Sequence, residues 1–388
     1  MKLSPIPLTS FGSVWWVGSD SLVFWSPHSR VPSVDAAFGQ ASSRIWSTHG
    51  LSISMSISAE DGFDRPFSRQ GIVAATASAI LTATALTTSV APSGGPSYDL
   101  NQERIFDTRK RSFLPANPER LIRAGFEGGC RLLCLGEVHT NPLHHRMQFK
   151  VIKALHAASL GQGEPLAIGL EMFYRQQQGA LDRYVFLHGN LELLKLETQW
   201  EKTWGFDFNQ YAKIFRFARE NRIYLVGLNA PSFLVNLVNN VGLDGLPPEL
   251  ISAMPKMDLG QVEHRRRFEE TINAFPHGNF DEAAMQRMYE SQTLWDEYMA
   301  ETSSRFLQHR GGRMVLLAGT KHIESRDGIP DRVQRRTGLR PFTVVPLSVE
   351  WTPDGLPDID HPPGNAFADW VYYTEEELEP VETGQKIR

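Results

Sequence analysis

The chain has 388 residues, 41% of them hydrophobic and 21% charged, a composition that supplies a sizeable core and excludes a wholly disordered protein. A formal net charge of −5, with no basic-aromatic recognition motif, argues against a nucleic-acid partner. The two cysteines, Cys130 and Cys134, are too few for a disulfide framework, and their spacing is neither a redox pair nor a four-ligand zinc site.

Residues 1–59 carry fifteen serines, with Asp20 and Asp35 as the only acids and Lys2, Arg30 and Arg44 as the only bases. That composition suits an organelle transit segment and is too poor in arginine for a mitochondrial address. Arg65 and Arg69 then precede an uncharged stretch, 72–91, ending in Ser89-Val90-Ala91, small residues of the kind signal peptidases cut. Residues 1–96 are therefore expected to be a bipartite chloroplast and thylakoid-lumen presequence, disordered or membrane-inserting. If stretch 72–91 is retained, it is long enough to associate with the thylakoid membrane as an anchor.

From about Phe106 onward, short apolar runs alternate with helical patterns. The predicted fold is α/β, with a largely parallel sheet flanked by helices and a smaller helical subdomain inserted before the last strands. Arg131–Leu135 leads into Gly136-Glu137-Val138-His139; Pro165–Leu170 stops at Glu171; Ile223–Leu228 stops at Asn229; Arg313–Ala318 leads into Gly319-Thr320-Lys321-His322. Helices are expected from Pro142 to about Gly161 and from Phe208 to Glu220. Residues 243–308 read as helical with proline and glycine breaks, and form the expected subdomain. Arg340–Val349 and Trp370–Thr374 read as further strands. The α/β domain is expected over 97–375, with an acidic tail over 376–388.

In open α/β sheets ligands bind outside the carboxyl ends of the strands, so Glu137, His139, Glu171, Asn229 and His322 are expected to converge. Residues two apart on a strand share a side, which aims Glu137 and His139 into one crevice. The competing reading is that Glu137 caps the next helix and His139 bonds to backbone. Of His144 and His145, at the start of that helix, one is expected to face the site and the other solvent. Glu171 needs a cationic or metal partner, and a plain ion pair with Arg175 is the alternative. His322 follows the flexible Gly319, and a satisfied core histidine is its alternative. Gln292, Asp296 and Met299 share one helix face with Trp295 alongside, a face that either closes the site or simply packs on the sheet. Carboxylates with imidazoles suit Mn, Fe or Zn, or general acid/base chemistry without metal. The nucleophile elbow, the phosphate-binding loop and His-Glu-x-x-His are all missing from the sequence.

These residues resemble a known family. The segments are Leu135–His145 with Gln148, Gly169–Phe173 with Arg175 and Gln178, Gly227–Pro231, Gln292–Ala300, Ala318–His322, Gly328–Arg332 and Ala368–Trp370. In this order they resemble the ChaN-like haem-binding uptake proteins, of the superfamily that also holds Tiki and TraB proteins and, more distantly, erythromycin esterases. The resemblance covers roughly residues 106–375. It implies an α/β sheet with a helical subdomain, a haem or iron-handling role and haem shared across a homodimer; the plastid-like leader extends that expectation to haem or iron handling in a plastid. Because imidazole and phenolate both ligate haem iron, His145, Tyr174 and Tyr211 are the candidate ligands. The superfamily pattern implies an alternative, a metal-dependent peptidase or esterase in which Glu137, His139, Glu171 and His322 hold a divalent metal and one glutamate activates water. His144, Arg175, Gln178, Asn229, Gln292, Trp295 and Asp296 would support either site.

Overall fold

In the computed structural model, which describes residues 13–17, 21–25, 103–126, 129–160, 163, 165–274 and 280–375, the apolar runs become strands of one eight-stranded sheet. The chain divides into two units, residues 1–26 with 99–388 and residues 27–98, and every element below belongs to the first. The expected presequence lies outside the described residues, apart from an antiparallel hairpin of β1 (Ser13–Val17) and β2 (Ser21–Trp25). Stretch 72–91 and the tail 376–388 also lie outside them. Among the described residues, no helix is long and apolar enough to cross a membrane.

The sheet is built on β5 (Leu132–Glu137), β6 (Leu166–Tyr174), β7 (Tyr224–Asn229), β8 (Arg313–Gly319) and β9 (Phe342–Val349), all parallel. β10 (Trp370–Glu375) runs parallel to β9, while β3 (Arg104–Asp107) and β4 (Ser112–Pro115) close one edge antiparallel. The order is β4-β3-β10-β9-β5-β8-β6-β7. The α/β class and the largely parallel sheet agree with the expectation from sequence. The β3–β4 edge was not expected.

Both faces of the parallel strands are covered, which is why those runs are apolar throughout rather than alternating. Leu133 and Leu135 of β5 face one core, with Met147, Val151 and Leu155 of α2 (Pro142–Ser159) and Tyr211, Ile214 and Phe215 of α6 (Phe208–Glu220). Leu132 and Cys134 face the other, with Met299, Ala300 and Phe306 of α10 (Glu282–His309) and Ile329 and Val333 of α11 (Ile329–Thr337). Helix α1 (Pro118–Phe126) adds Leu121 and Phe126 to the first core.

Helices α3 (Gln178–Phe186), α4 (Leu191–Glu197) and α5 (Trp200–Thr203) connect β6 to α6. Between β7 and β8 come α7 (Ser232–Val241), α8 (Pro248–Ala253), α9 (Val262–Asn273) and α10. Leu234, Val235 and Val238 of α7 pack on Leu294 and Tyr298 of α10 in a small core of their own. Asp281 starts α10 by accepting the Ala284 N–H at 2.7 Å, the ordinary service of an aspartate at this position. This long helix runs past the end of β8, which sets up the site.

Candidate functional site

Glu137, the last residue of β5, is 1% exposed and lies at the centre of one half of the site. Its Oε1 accepts from His139 Nδ1 at 2.8 Å and from the Tyr211 hydroxyl at 2.5 Å. Its Oε2 accepts from Gln148 Nε2 at 2.8 Å, with His145 Nδ1 3.6 Å away. Burial alone would raise the Glu137 carboxyl, but His145, His139 and Tyr211 outweigh it and hold the group at about 2. The alternative of a capping role is overturned: Asn141 caps α2, taking the Leu143 N–H at 2.9 Å. His139 does not bond to backbone through its ring as the alternative had it; its ring Nδ1 bonds to Glu137, and its carbonyl receives His145 Nε2 at 3.0 Å.

The second half is centred on His322, 3% exposed, in the turn after β8. Its Nδ1 lies 2.7 Å from Asp296 Oδ1 and its Nε2 3.3 Å from Glu171 Oε1. Burial opposes charge on this imidazole, yet the Glu171 and Asp296 carboxylates push it up to about 10, so it is an imidazolium at neutral pH. Both carboxylates are correspondingly held below their ordinary values, against burial, chiefly by the charge on His322. Glu171 Oε2 also accepts the Gly319 N–H at 2.6 Å. A Cβ on Gly319 would stand 3.2 Å from His139 Nε2 and 3.6 Å from Glu171 Oε2, so this glycine lets the two halves meet. His139 is itself raised: burial lowers it, but the Glu137 hydrogen bond and the Glu171 charge win.

Behind Asp296 the network continues. His264 Nε2 lies 3.3 Å from Asp296 Oδ2, and Tyr289 OH lies 3.1 Å from His264 Nδ1. Arg332, fully buried, bonds to Glu297 at 3.2 Å. His264, Tyr289 and Arg332 were not among the candidates from sequence; His264 sits on α9, and a helix so rich in arginine reads as a solvated face.

Half-exposed aromatics border the two buried histidines. Trp204 meets the His139 ring edge-on at 4.7 Å, with Phe206 at 5.1 Å, and Trp295 stands edge-on to His322 at 6.4 Å. Trp204 and Phe206 come from the loop before α6, which carried no signal in the sequence. Tyr174, half-buried at the end of β6, donates its hydroxyl at 2.9 Å to the carbonyl of Thr203, the last residue of α5 and the neighbour of Trp204. Burial pushes its phenol up.

The remaining candidates divide between site and scaffold. Gln292 Nε2 lies 3.1 Å from His322 Nδ1, whereas Met299 of the same helix packs into the core. Asn229 ties two strand ends together, donating to Glu171 O at 3.0 Å. Gln178 bonds to the β7 backbone, donating to Leu225 O at 2.8 Å and accepting from Gly227 N–H at 3.1 Å. Arg175 pairs with Glu301 at 2.7 Å and stacks on Tyr298, not with Glu171 as the alternative had it. Neither His144 nor His145 faces solvent: they are 1% and 3% exposed. His144 accepts the Val138 N–H at 3.0 Å on Nδ1, and burial pushes it down to about 3, which keeps the accepting nitrogen unprotonated.

Glu137, His139, Glu171 and His322, the residues expected to hold a divalent metal, lie together at the strand ends, with His139 bonded to Glu137 and His322 facing Glu171. The His322 ring places one nitrogen on each of two carboxylates, Nδ1 on Asp296 and Nε2 on Glu171. His139 spends Nδ1 on Glu137. Among the described residues, no group of three or more His, Cys, Asp or Glu is arranged to hold an ion.

A family model described as haem-binding uptake, Tiki superfamily, ChaN matches residues 129–333, just over half of the chain. The structure is similar to that of ChaN of Campylobacter jejuni with cofacially bound haem, at a TM-score of 0.56 and 20% identity, covering 72% of this chain and 98% of that one. At that identity the likeness shows the fold. Weaker likenesses are to an erythromycin esterase mutant, EreC, in its open conformation (TM-score 0.36, 15% identity, 66% of this chain and 78% of that one) and to RRSP, a toxin effector domain from Vibrio vulnificus (TM-score 0.34, 18% identity, 59% and 35%). Neither carries weight for the site. No protein of curated function matches the sequence.

Proposed function

The chain belongs to the haem-binding uptake family ChaN of the Tiki superfamily, and from that premise we propose that it binds haem at the lip of the strand-end crevice. The observation that carries the placement is the half-buried aromatic border of Trp204, Phe206 and Trp295, with the Tyr174 phenol bonded to Thr203 beside Trp204. A porphyrin needs an apolar face to lie on and an oxygen or nitrogen atom for its iron. Tyr174 meets the second need, since it is the one half-exposed member of the three candidate ligands. His145 and Tyr211 are 3% and 0% exposed and bonded within the Glu137 network, which makes them supports of the floor. Bound haem would supply the iron; this chain's residues supply the apolar face and the phenol.

ChaN of Campylobacter jejuni binds haem cofacially. The same arrangement, with haem shared by a homodimer, is part of this proposal and would appear as a doubling of mass on haemin addition. The setting we propose is the plastid, supported by the serine-rich, acid-poor residues 1–59 and the uncharged stretch 72–91. A fluorescent fusion that remains in the cytosol would sink that part. Haemin titration of the protein, followed in the Soret region, tests the binding itself.

The Glu137–His139 bond at 2.8 Å favours a second reading, in which a carboxylate-oriented imidazole acts as a general base in hydrolysis. A panel of ester and peptide substrates tests it. Turnover lost in His139→Ala would support this reading, and no turnover on any substrate would remove it.

A further inference from the structure

The N-terminal ends of β5, β9 and β10, at the opposite end of the sheet from Glu137 and His322, border an open cavity of ≈ 560 Å³. That lies within the roughly 300–1,000 Å³ typical of small-molecule sites. Cys130, on its wall, precedes Glu137 by seven residues, which along an extended chain is about 23 Å. Nothing described above for the crevice reaches this cavity.

Three kinds of wall meet there. Phe342 and Trp370 form an edge-to-face aromatic pair with centroids 5.6 Å apart. Arg109, Lys110 and Arg340 stand at the rim with exposed side chains. Two carboxylates share this rim, and each already has a cationic partner: Lys110 Nζ lies 3.6 Å from Asp107 Oδ2, and Arg340 bonds to Asp369. Asp107 accepts the N–H groups of Arg109 at 3.1 Å and Lys110 at 2.9 Å, and Asp369 receives Arg326 at 3.0 Å, the Thr343 N–H at 2.9 Å and Arg340. Four cationic side chains, Arg109, Lys110, Arg326 and Arg340, thus stand against two carboxylates, which leaves a positive excess at the rim. Gly129 and Gly338 also line the cavity, and a Cβ on either would meet nothing within 4 Å, so the backbone there borders open space.

We propose that this cavity is a second binding site, for a planar aromatic ligand that carries an oxyanion. The ring packs on the Phe342–Trp370 wall, and the anion is held by Arg109, Lys110 and Arg340. A nucleotide phosphate and a tetrapyrrole carboxylate share this chemistry, and the test separates them.

Cys130 is a built-in reporter. It is half-buried on the cavity wall, while Cys134, the only other cysteine, is fully buried. The full chain is labelled with N-ethylmaleimide and followed by intact mass, alone and with adenosine diphosphate, iron-free protoporphyrin IX, adenosine or inorganic phosphate. The expected result is single labelling at Cys130, slowed at least about fivefold and saturably by adenosine diphosphate or by protoporphyrin IX, the more protective of the two identifying the source of the anion. Adenosine and phosphate alone protect less than either. The protection is lost in the Arg109→Glu, Lys110→Glu double variant, whose changes lie on exposed side chains, and survives in Tyr174→Phe, because the iron-free porphyrin needs no axial ligand. Failure of Cys130 to react in the free protein, absence of protection by both planar anions, or protection that persists after charge reversal would each overturn the proposal.

Discussion

Asp296 Oδ1 and His322 Nδ1 lie 2.7 Å apart, one from the middle of α10 and the other from the turn after β8, and both residues are buried. This contact fixes the long helix against the strand ends and leaves His322 Nε2 aimed at Glu171. Asp296→Ala removes one of the two carboxylates that balance a buried imidazolium, and breaking such a pair costs about 3–5 kcal/mol. Urea denaturation of the two proteins at pH 7 measures it. A loss below about 1 kcal/mol, the range of exposed ion pairs, would show that His322 is not a buried cation.

The same pair sets a pH dependence. The folded pKa of His322 is raised to about 10, so its stabilisation is complete below the ordinary imidazole value of about 6.5 and fades as pH rises through 10. Glu137, lowered to about 2, contributes stability that is complete above the ordinary carboxylate value of about 4.3 and fades as pH falls through 2. Stability should therefore decline from pH 7 to 10 in the native protein. His322→Gln, less stable at pH 7, should show a smaller decline. Denaturation midpoints at pH 7, 8.5 and 10 give the comparison, and parallel curves would count against a charged His322.

Tyr211→Phe removes a buried 2.5 Å hydrogen bond to the Glu137 carboxylate and little else. Bonds to charged groups contribute about 1.5–3 kcal/mol, and that loss is expected in chemical denaturation. Haemin affinity should change little, because Tyr211 lies beneath the border rather than on it. A variant of full stability that no longer binds haemin would instead make Tyr211 a ligand.

Gly227 lies against the chain of β6. A Cβ there would fall 2.7 Å from Tyr174 O, an approach that backbone movement alone can relieve. Gly227→Ala should destabilise by about 1–3 kcal/mol and displace Tyr174, so haemin binding weakens with stability. Equal haemin affinity in this variant would argue that Tyr174 is not the ligand.

Strands β5, β6, β7 and β8 were legible because each is a short, wholly apolar run that stops at a polar residue, and the parallel sheet buries both of their faces. The convergence of Glu137, Glu171 and His322 followed from where those runs stop. β3 and β4 were not legible: each is four residues long, and no long apolar run marks them. The helical spacing of Gln292 and Asp296 put them on one face, but nothing local says that Met299, a turn further on, turns into the core instead. His264 and Trp204 reach the site only through packing of α9 and of the loop before α6, contacts of long sequence separation that periodicity does not encode. Nor does the sequence show that Asp296 joins Glu171 around His322, one carboxylate on each ring nitrogen.

The most direct test of the central claim is a haemin titration of the full-length protein followed in the Soret region, with Tyr174→Phe alongside. Saturable binding with a defined stoichiometry is expected, with a Soret band that is lost or shifted in Tyr174→Phe, while the variant gives up the hydroxyl's bonds to Thr203 O and Ser232, about 1 kcal/mol each. Non-saturable haemin uptake, or a Soret spectrum identical in the two proteins, would contradict it.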